Sequence, residues 1–124
     1  MDAYERKQRR EDAASQVRGR HYVDWVPTLD ELRSQGRDDE ALELLLEIID
    51  AAERASVVSG REPAPAYTER ASVIYRGRGD YAAEVAIIER WEAACPPERR
   101  GPGAAQGRLA KRLIKARALQ QNDD

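Results

Sequence analysis

Side chains able to do covalent or metal chemistry are scarce in this chain: 124 residues hold one histidine, His21, and one cysteine, Cys95. A nucleophile activated by a base, or a zinc site of thiolates and imidazoles, needs those residue types in combination. A lone cysteine can close no internal disulfide. Cys95, between Ala94 and Pro96, reads as a small apolar contact at a helix end. Acids are plentiful, but the neighbours Asp38 and Asp39, or Glu40 and Glu43, stand on one exposed helical stretch with no glycine-rich loop beside them. Salt bridges along the helix explain them, so the expectation is a non-enzymatic chain with no cofactor and no metal. What remains is recognition by charge. Residues 29–56 hold nine acids against three arginines, a balance of −6; residues 98–124 hold seven bases against three acids, +4; residues 1–20 hold six bases against four acids, +2. Such polarity could attract basic and acidic partners at different ends.

The elements that carry these charges follow from the apolar spacing. Residues 1–20 show no apolar stripe, Tyr4 and Val17 being too far apart to define a face, and read as a charged arm, a frayed or partner-dependent helix ending near Gly19. From Tyr22 the apolar residues Val26, Leu29 and Leu32 recur at three and four, the period of a helix, and Pro27 places its regular start near Val26. Gly36 ends that helix, and Asp38 is placed to accept from the free amides of the next. That next helix, about 39–57, has two adjoining apolar faces through Ala41, Leu44, Leu45, Ile48 and Ala52 beside Leu42, Leu46 and Ile49. Its outer stripe is acidic: Glu40, Glu43, Glu47 and Asp50. Gly60, Pro63 and Pro65 interrupt the chain; a third helix runs from Pro65 or Ala66 to about Arg76, and a fourth, 81–94, turns Val85, Ile88 and Trp91 inward before Pro96 and Pro97 stop it. After a loose Gly101-Pro102-Gly103, a fifth helix from about 104 to 120 has a narrow seam of Leu109, Leu113 and Ala116 and an otherwise basic surface.

The chain is 41% hydrophobic and 35% charged, without phenylalanine, so Trp25, Trp91 and five tyrosines are its large anchors. No run approaches the roughly 18 apolar residues of a membrane span, and no signal-peptide stretch opens the sequence; a cytoplasmic location without membrane contact is expected.

Two stretches repeat one plan. The first runs through Trp25, Leu29 and Leu32, turns at Gly36-Arg37-Asp38, and continues through Ala41, Leu45 and Ile48. The second runs through Tyr67, Ala71, Ile74 and Tyr75, turns at Gly79-Asp80-Tyr81, and continues through Val85, Ile88 and Trp91 to Pro96. With Tyr75, the Gly79 turn and Pro96 at matching spacing, the second hairpin resembles a tetratricopeptide repeat (TPR). The first is similar to it through Trp25, Gly36, Ala41 and Leu45. Two departures stand out. Glu84 occupies the place of the repeat's small packing alanine, and the two glycine turns lie 43 residues apart where the repeat period is about 34. The segment from His21 to Leu119 also resembles TPR-like helical tails of actinobacterial and actinophage proteins, some of which follow a HIRAN domain, a domain this sequence does not contain.

The resemblance implies an all-α, short TPR-like α-solenoid: a domain over 21–120 made of a hairpin at 22–58, a linker at 59–65, a hairpin at 66–95 and a capping helix at 104–120. It implies protein binding, as an adaptor or assembly factor, with no activity attached. In such repeats the first helix of each hairpin lines the groove, which carries the partner-binding role to Val26, Asp30 and Arg33 in the first copy and to Glu69, Val73 and Arg76 in the second. Arg33 and Arg76, each one turn before its glycine, would project side by side and grip a carboxylate of another protein or peptide. Two hairpins are fewer than the three units that repeats generally need, so self-association is a further expectation. The competing reading is a nucleic-acid-associated protein that brings Arg9 and Arg10 of the arm together with Arg108, Arg112 and Lys115 of the cap.

Overall fold

In the computed structural model, which describes residues 1–101 and 103–123, the chain is predominantly helical and divides into two compact units, Met1–Pro63 and Ala64–Asp124. The expectation for Pro102 lies outside the described residues.

The first unit opens with α1 (Ala3–Ala14), a two-residue antiparallel ladder of β1 (Gln16–Val17) with β2 (Arg20–His21), and a single 3₁₀ turn (Tyr22–Trp25). Helices α2 (Val26–Ser34) and α3 (Asp38–Ser59) complete it. Pro27 sits in the first turn of α2, where its missing N–H costs nothing. The N-terminal segment departs from the frayed arm expected. Asp2 caps α1 by accepting from Glu5 N at 2.8 Å, and the helix packs on α3 although none of its own residues is buried. Polar contacts distant in sequence hold it there. Arg61 pairs with Glu11 at 2.9 Å, and Arg54 donates to the carbonyls of Ala14 and Gln16. Nor does Gly19 end a helix: Arg18 and Gly19 are the centre of a tight hairpin, both with positive φ (51° and 85°), as a type I′ turn requires. Val17, 3% exposed, is the apolar anchor of this ladder, and Trp25 Nε1 donates to its carbonyl at 2.9 Å.

The second unit contains α4 (Pro65–Gly77), α5 (Tyr81–Ala94), a 3₁₀ turn (Pro97–Arg99) and α6 (Ala104–Asp123). Helix α6 packs on both α4 and α5. Leu109, Leu113 and Ala116 are buried in α6, Val85, Ile87, Ile88 and Trp91 in α5, and Ala71 and Ile74 in α4. Arg100 lies over the Trp91 ring at 5.3 Å, a cation–π contact closing one side of the indole.

The repeated plan is physical as well as compositional. At the first turn Gly36 N donates to Arg33 O and Arg37 N to Leu32 O; at the second, Gly79 N donates to Arg76 O and Asp80 N to Tyr75 O. Both are Schellman endings closed by a left-handed glycine, at φ 71° and 74°. They differ one residue later. Asp80 caps α5 by accepting from Ala83 N at 3.1 Å. Asp38, read as the equivalent cap, is instead the first residue of α3 and makes no capping bond.

Candidate functional site

The strongest polar feature of either unit is a charge cluster inside the second. Glu84 has no exposed surface, and neither has Ser72. Glu84 Oε1 accepts from Arg76 Nε at 2.8 Å; its Oε2 accepts from Arg112 Nη2 at 3.0 Å and from the Ser72 hydroxyl. Arg112 Nε donates to Ser72 Oγ, and Arg76 Nη2 reaches the carbonyl of Arg112 at 3.0 Å. One carboxylate thus fastens α4, α5 and α6 together. A buried carboxylate without such partners would be strongly disfavoured, so the two arginines are what permits Glu84 to occupy a fully buried position between helices.

A second pair, Arg108 with Glu69 at 2.6 Å, continues the seam between α4 and α6. The hydrogen bond to Glu69 raises the Arg108 pKa above its ordinary value, and Coulomb attraction to the same carboxylate adds to it. Arg117 lies 3.8 Å from Glu89. Every arginine within α6 therefore has an acid beside it. Lys111 and Lys115 are exposed and have no ion-pair partner among the described residues.

Of the α4 residues expected to line a groove, Glu69, Val73 and Arg76 share one face at spacings of four and three. Glu69 and Arg76 are half-buried by these contacts, and Val73 is 41% exposed. On α2, Asp30 and Arg33 are exposed and Val26 is half-buried. Arg33 Nε stands 3.0 Å from Asp38 Oδ1, an ionic contact without hydrogen-bond alignment, since that buried oxygen has no hydrogen-bond donor. Arg33 and Arg76 belong to different units, and each has an acid in its own. A shallow cleft of about 340 Å³ in the first unit uses the other side of α2 (Thr28, Glu31, Leu32 and Gln35) together with Arg18, Arg37, Glu40 and Glu43. Both of its arginines are engaged by acids. Arg37 binds Glu40 at two oxygens, which holds the Glu40 carboxyl below its ordinary pKa, and Arg18 chelates Glu47.

The residues of the nucleic-acid reading are divided. Arg9 and Arg10 are exposed on α1 in the first unit, and Arg108 and Arg112 are engaged as described above. His21 uses Nδ1 to accept from Val23 N at 3.1 Å, capping the 3₁₀ turn, and Cys95 is fully buried. The residues that sequence reasoning missed are Ser72 and Glu84. A signal was present: Glu84, Ile88 and Trp91 recur at four and three, which puts a carboxylate in line with the apolar stripe of α5.

No protein-family model, curated protein or solved structure matches the chain.

Proposed function

We propose that the chain is a protein-binding module, an adaptor or assembly factor of the TPR-like α-solenoid kind, that takes a segment of another protein along the outward face of α4. The observation that carries this reading is Val73. It is an aliphatic side chain 41% exposed, on the face of α4 between Glu69 and Arg76, and both of those charged neighbours are held in fixed positions by α6. An apolar contact rimmed by oriented charges is how a protein surface combines affinity with register. The face of α2 carrying Val26, Asp30 and Arg33 is the corresponding surface of the first repeat. The matched Schellman turns at Gly36 and Gly79 support treating the two hairpins as one repeated unit.

A nucleic-acid role is the weaker reading, because affinity for phosphates comes from cations free to release counterions. Arg108 and Arg112 already neutralise Glu69 and Glu84.

Site-specific photo-crosslinking tests the proposal. A photoreactive residue at position 73 should give a discrete adduct with one protein in the native cell. The same residue at position 114, where Ile114 is 70% exposed on α6, should not. Equal and diffuse labelling from both positions would count against a binding face on α4.

A further inference from the structure

We infer that the cleft between α1 and the end of α3 binds one free nucleoside monophosphate, with the planar base against Tyr4 and the phosphate against Lys7 and Arg61. The site lies wholly within the first unit and is independent of the α4 face.

Tyr4, Lys7, Gln8 and Glu11 share one face of α1 at the helical spacings of three and four. With Ser59, the last residue of α3, and Arg61 just beyond it, they line a cleft of about 290 Å³. One end of the cleft is fixed. Arg61 Nη2 donates to Glu11 Oε1 at 2.9 Å, the backbone N–H of Arg61 donates to Ser59 Oγ at 3.1 Å, and the Glu11 side chain is only 19% exposed. The other end is uncommitted. Neither the Lys7 ammonium nor the Tyr4 hydroxyl has a hydrogen bond or ion pair among the described residues, and Tyr4 is 75% exposed.

Donors outnumber acceptors in the lining. Lys7 offers all its N–H groups, Arg61 retains Nε and Nη1, Ser59 retains its hydroxyl hydrogen, and Gln8 retains one amide N–H after donating to Asp12 at 3.2 Å. Against them stand only Glu11 Oε2, Gln8 Oε1 and the phenol oxygen of Tyr4. Two cations face one carboxylate, so the surplus is one positive charge. An anion with several oxygens answers that set, and a phosphate presents them on every side. Neutralising the carbonyl end of α3 accounts for a cation there, but not for an aromatic ring left exposed on the same lining. Such a ring is a stacking surface for a base, and the exposed amide of Gln8, one turn along α1, can both donate to and accept from a base edge. The volume is at the small end of ligand pockets, which suits a single nucleotide. A strand fits less well, because the first unit holds fifteen acids against ten bases, a balance of −5, and repels a polyanion.

The test titrates the full chain separately with adenosine monophosphate (AMP), adenosine and inorganic phosphate while amide NMR resonances are followed. The side-chain amide of Gln8 and the backbone amides of Ser59 and Arg61 report on the cleft; the backbone amide of Glu43, on α3 away from it, reports non-specific effects. AMP should saturate the cleft resonances with a Kd of about 1 mM or tighter and leave Glu43 unmoved. Adenosine and phosphate should each bind at least about tenfold more weakly, a difference of about 1.4 kcal/mol. Tyr4 and Lys7 make no contact that the fold uses, so Tyr4→Leu and Lys7→Gln should leave circular dichroism unchanged. Tyr4→Leu should bring AMP down to the affinity of phosphate, and Lys7→Gln should weaken AMP about tenfold without altering adenosine. Failure of AMP to saturate the cleft resonances overturns the inference, and that result needs no variant. Phosphate binding as tightly as AMP, or AMP affinity unchanged in either variant, also overturns it. A short oligoadenylate binding more than about tenfold tighter than AMP would overturn the free-nucleotide assignment in favour of a strand.

Discussion

Replacing Glu84 by glutamine preserves the shape of the side chain and removes its charge. The carboxylate accepts three hydrogen bonds, from Ser72, Arg76 and Arg112, in a position with no exposed surface. In the variant the two guanidinium groups face each other across a neutral amide, and the NH₂ of that amide must point at one of them. Removing one partner of a buried ion pair costs about 3–5 kcal/mol. The arginines are 27% and 22% exposed, so water recovers part of their solvation and the lower end, about 3 kcal/mol, is expected. That is a large share of the roughly 5–15 kcal/mol by which domains are stable. With a urea m value of about 1.5 kcal/mol/M, the midpoint should fall by about 2 M. Because the chain has two compact units, the probe must belong to the second: Trp91 fluorescence in a Trp25→Phe background isolates it. The companion variant replaces the whole cluster, with Ser72→Ala, Arg76→Met, Glu84→Leu and Arg112→Met. It should recover to within about 1 kcal/mol of the parent, since a buried ionic cluster is replaceable by apolar packing. A Glu84→Gln midpoint within about 0.3 M of the parent would refute the reasoning, showing that the cluster is solvated and fastens nothing.

Three further outcomes follow from the same geometry. Trp91→Ala, at a position only 4% exposed, should cost about 3–5 kcal/mol in an unfolding transition followed by circular dichroism; a melting temperature within a degree or two of the parent would contradict its place in the core. Gly36→Ala and Gly79→Ala should each cost about 1–2 kcal/mol by urea denaturation. No atom stands within 4 Å of a Cβ added at either position, so the cost is the positive φ alone, and a markedly unequal pair would break the equivalence of the two turns. Burial, followed by the nearby Glu11 charge, raises the Tyr22 phenol above its ordinary pKa. A group raised on folding stabilises fully below its unfolded pKa, about 10 for tyrosine, and loses that contribution as pH rises through the higher folded value. Stability of the parent should therefore fall more steeply above pH 10 than that of Tyr22→Phe, and parallel curves would contradict the burial argument.

The helices from α2 onward were legible because proline and glycine punctuate them. Pro27, Pro65 and Pro96 start or stop elements where proline is tolerated or forbidding, and Gly36 and Gly79 close theirs in the one conformation that favours glycine. Helix α1 was not legible as a packed element. Its attachment is polar and joins residues far apart in sequence, Glu11 with Arg61 and Ala14 with Arg54, which no periodicity reveals. The α4 face was readable as a surface from the resemblance and the helical period. Its chemistry was not, because Arg112 reaches Glu84 and Ser72 across 28 and 40 residues. Glu84 looked like a departure from the TPR pattern; with Arg76 and Arg112 beside it, it holds three helices together. Asp38 and Asp80 show the reverse: Asp80 directly follows its glycine and caps, whereas Asp38 stands one residue further on, with Arg37 at the cap position, and makes no capping bond.

The central claim is that the α4 face binds a partner protein, and Val73→Glu tests it most directly. Since Val73 is 41% exposed, a charge there should leave folding intact by circular dichroism while placing a second carboxylate, beside that of Glu69, on the proposed contact. Calorimetric titration of the protein captured by crosslinking should show binding at least about tenfold weaker than to the parent chain, about 1.4 kcal/mol. An affinity unchanged by Val73→Glu would contradict the account and move the contact to another surface of the chain.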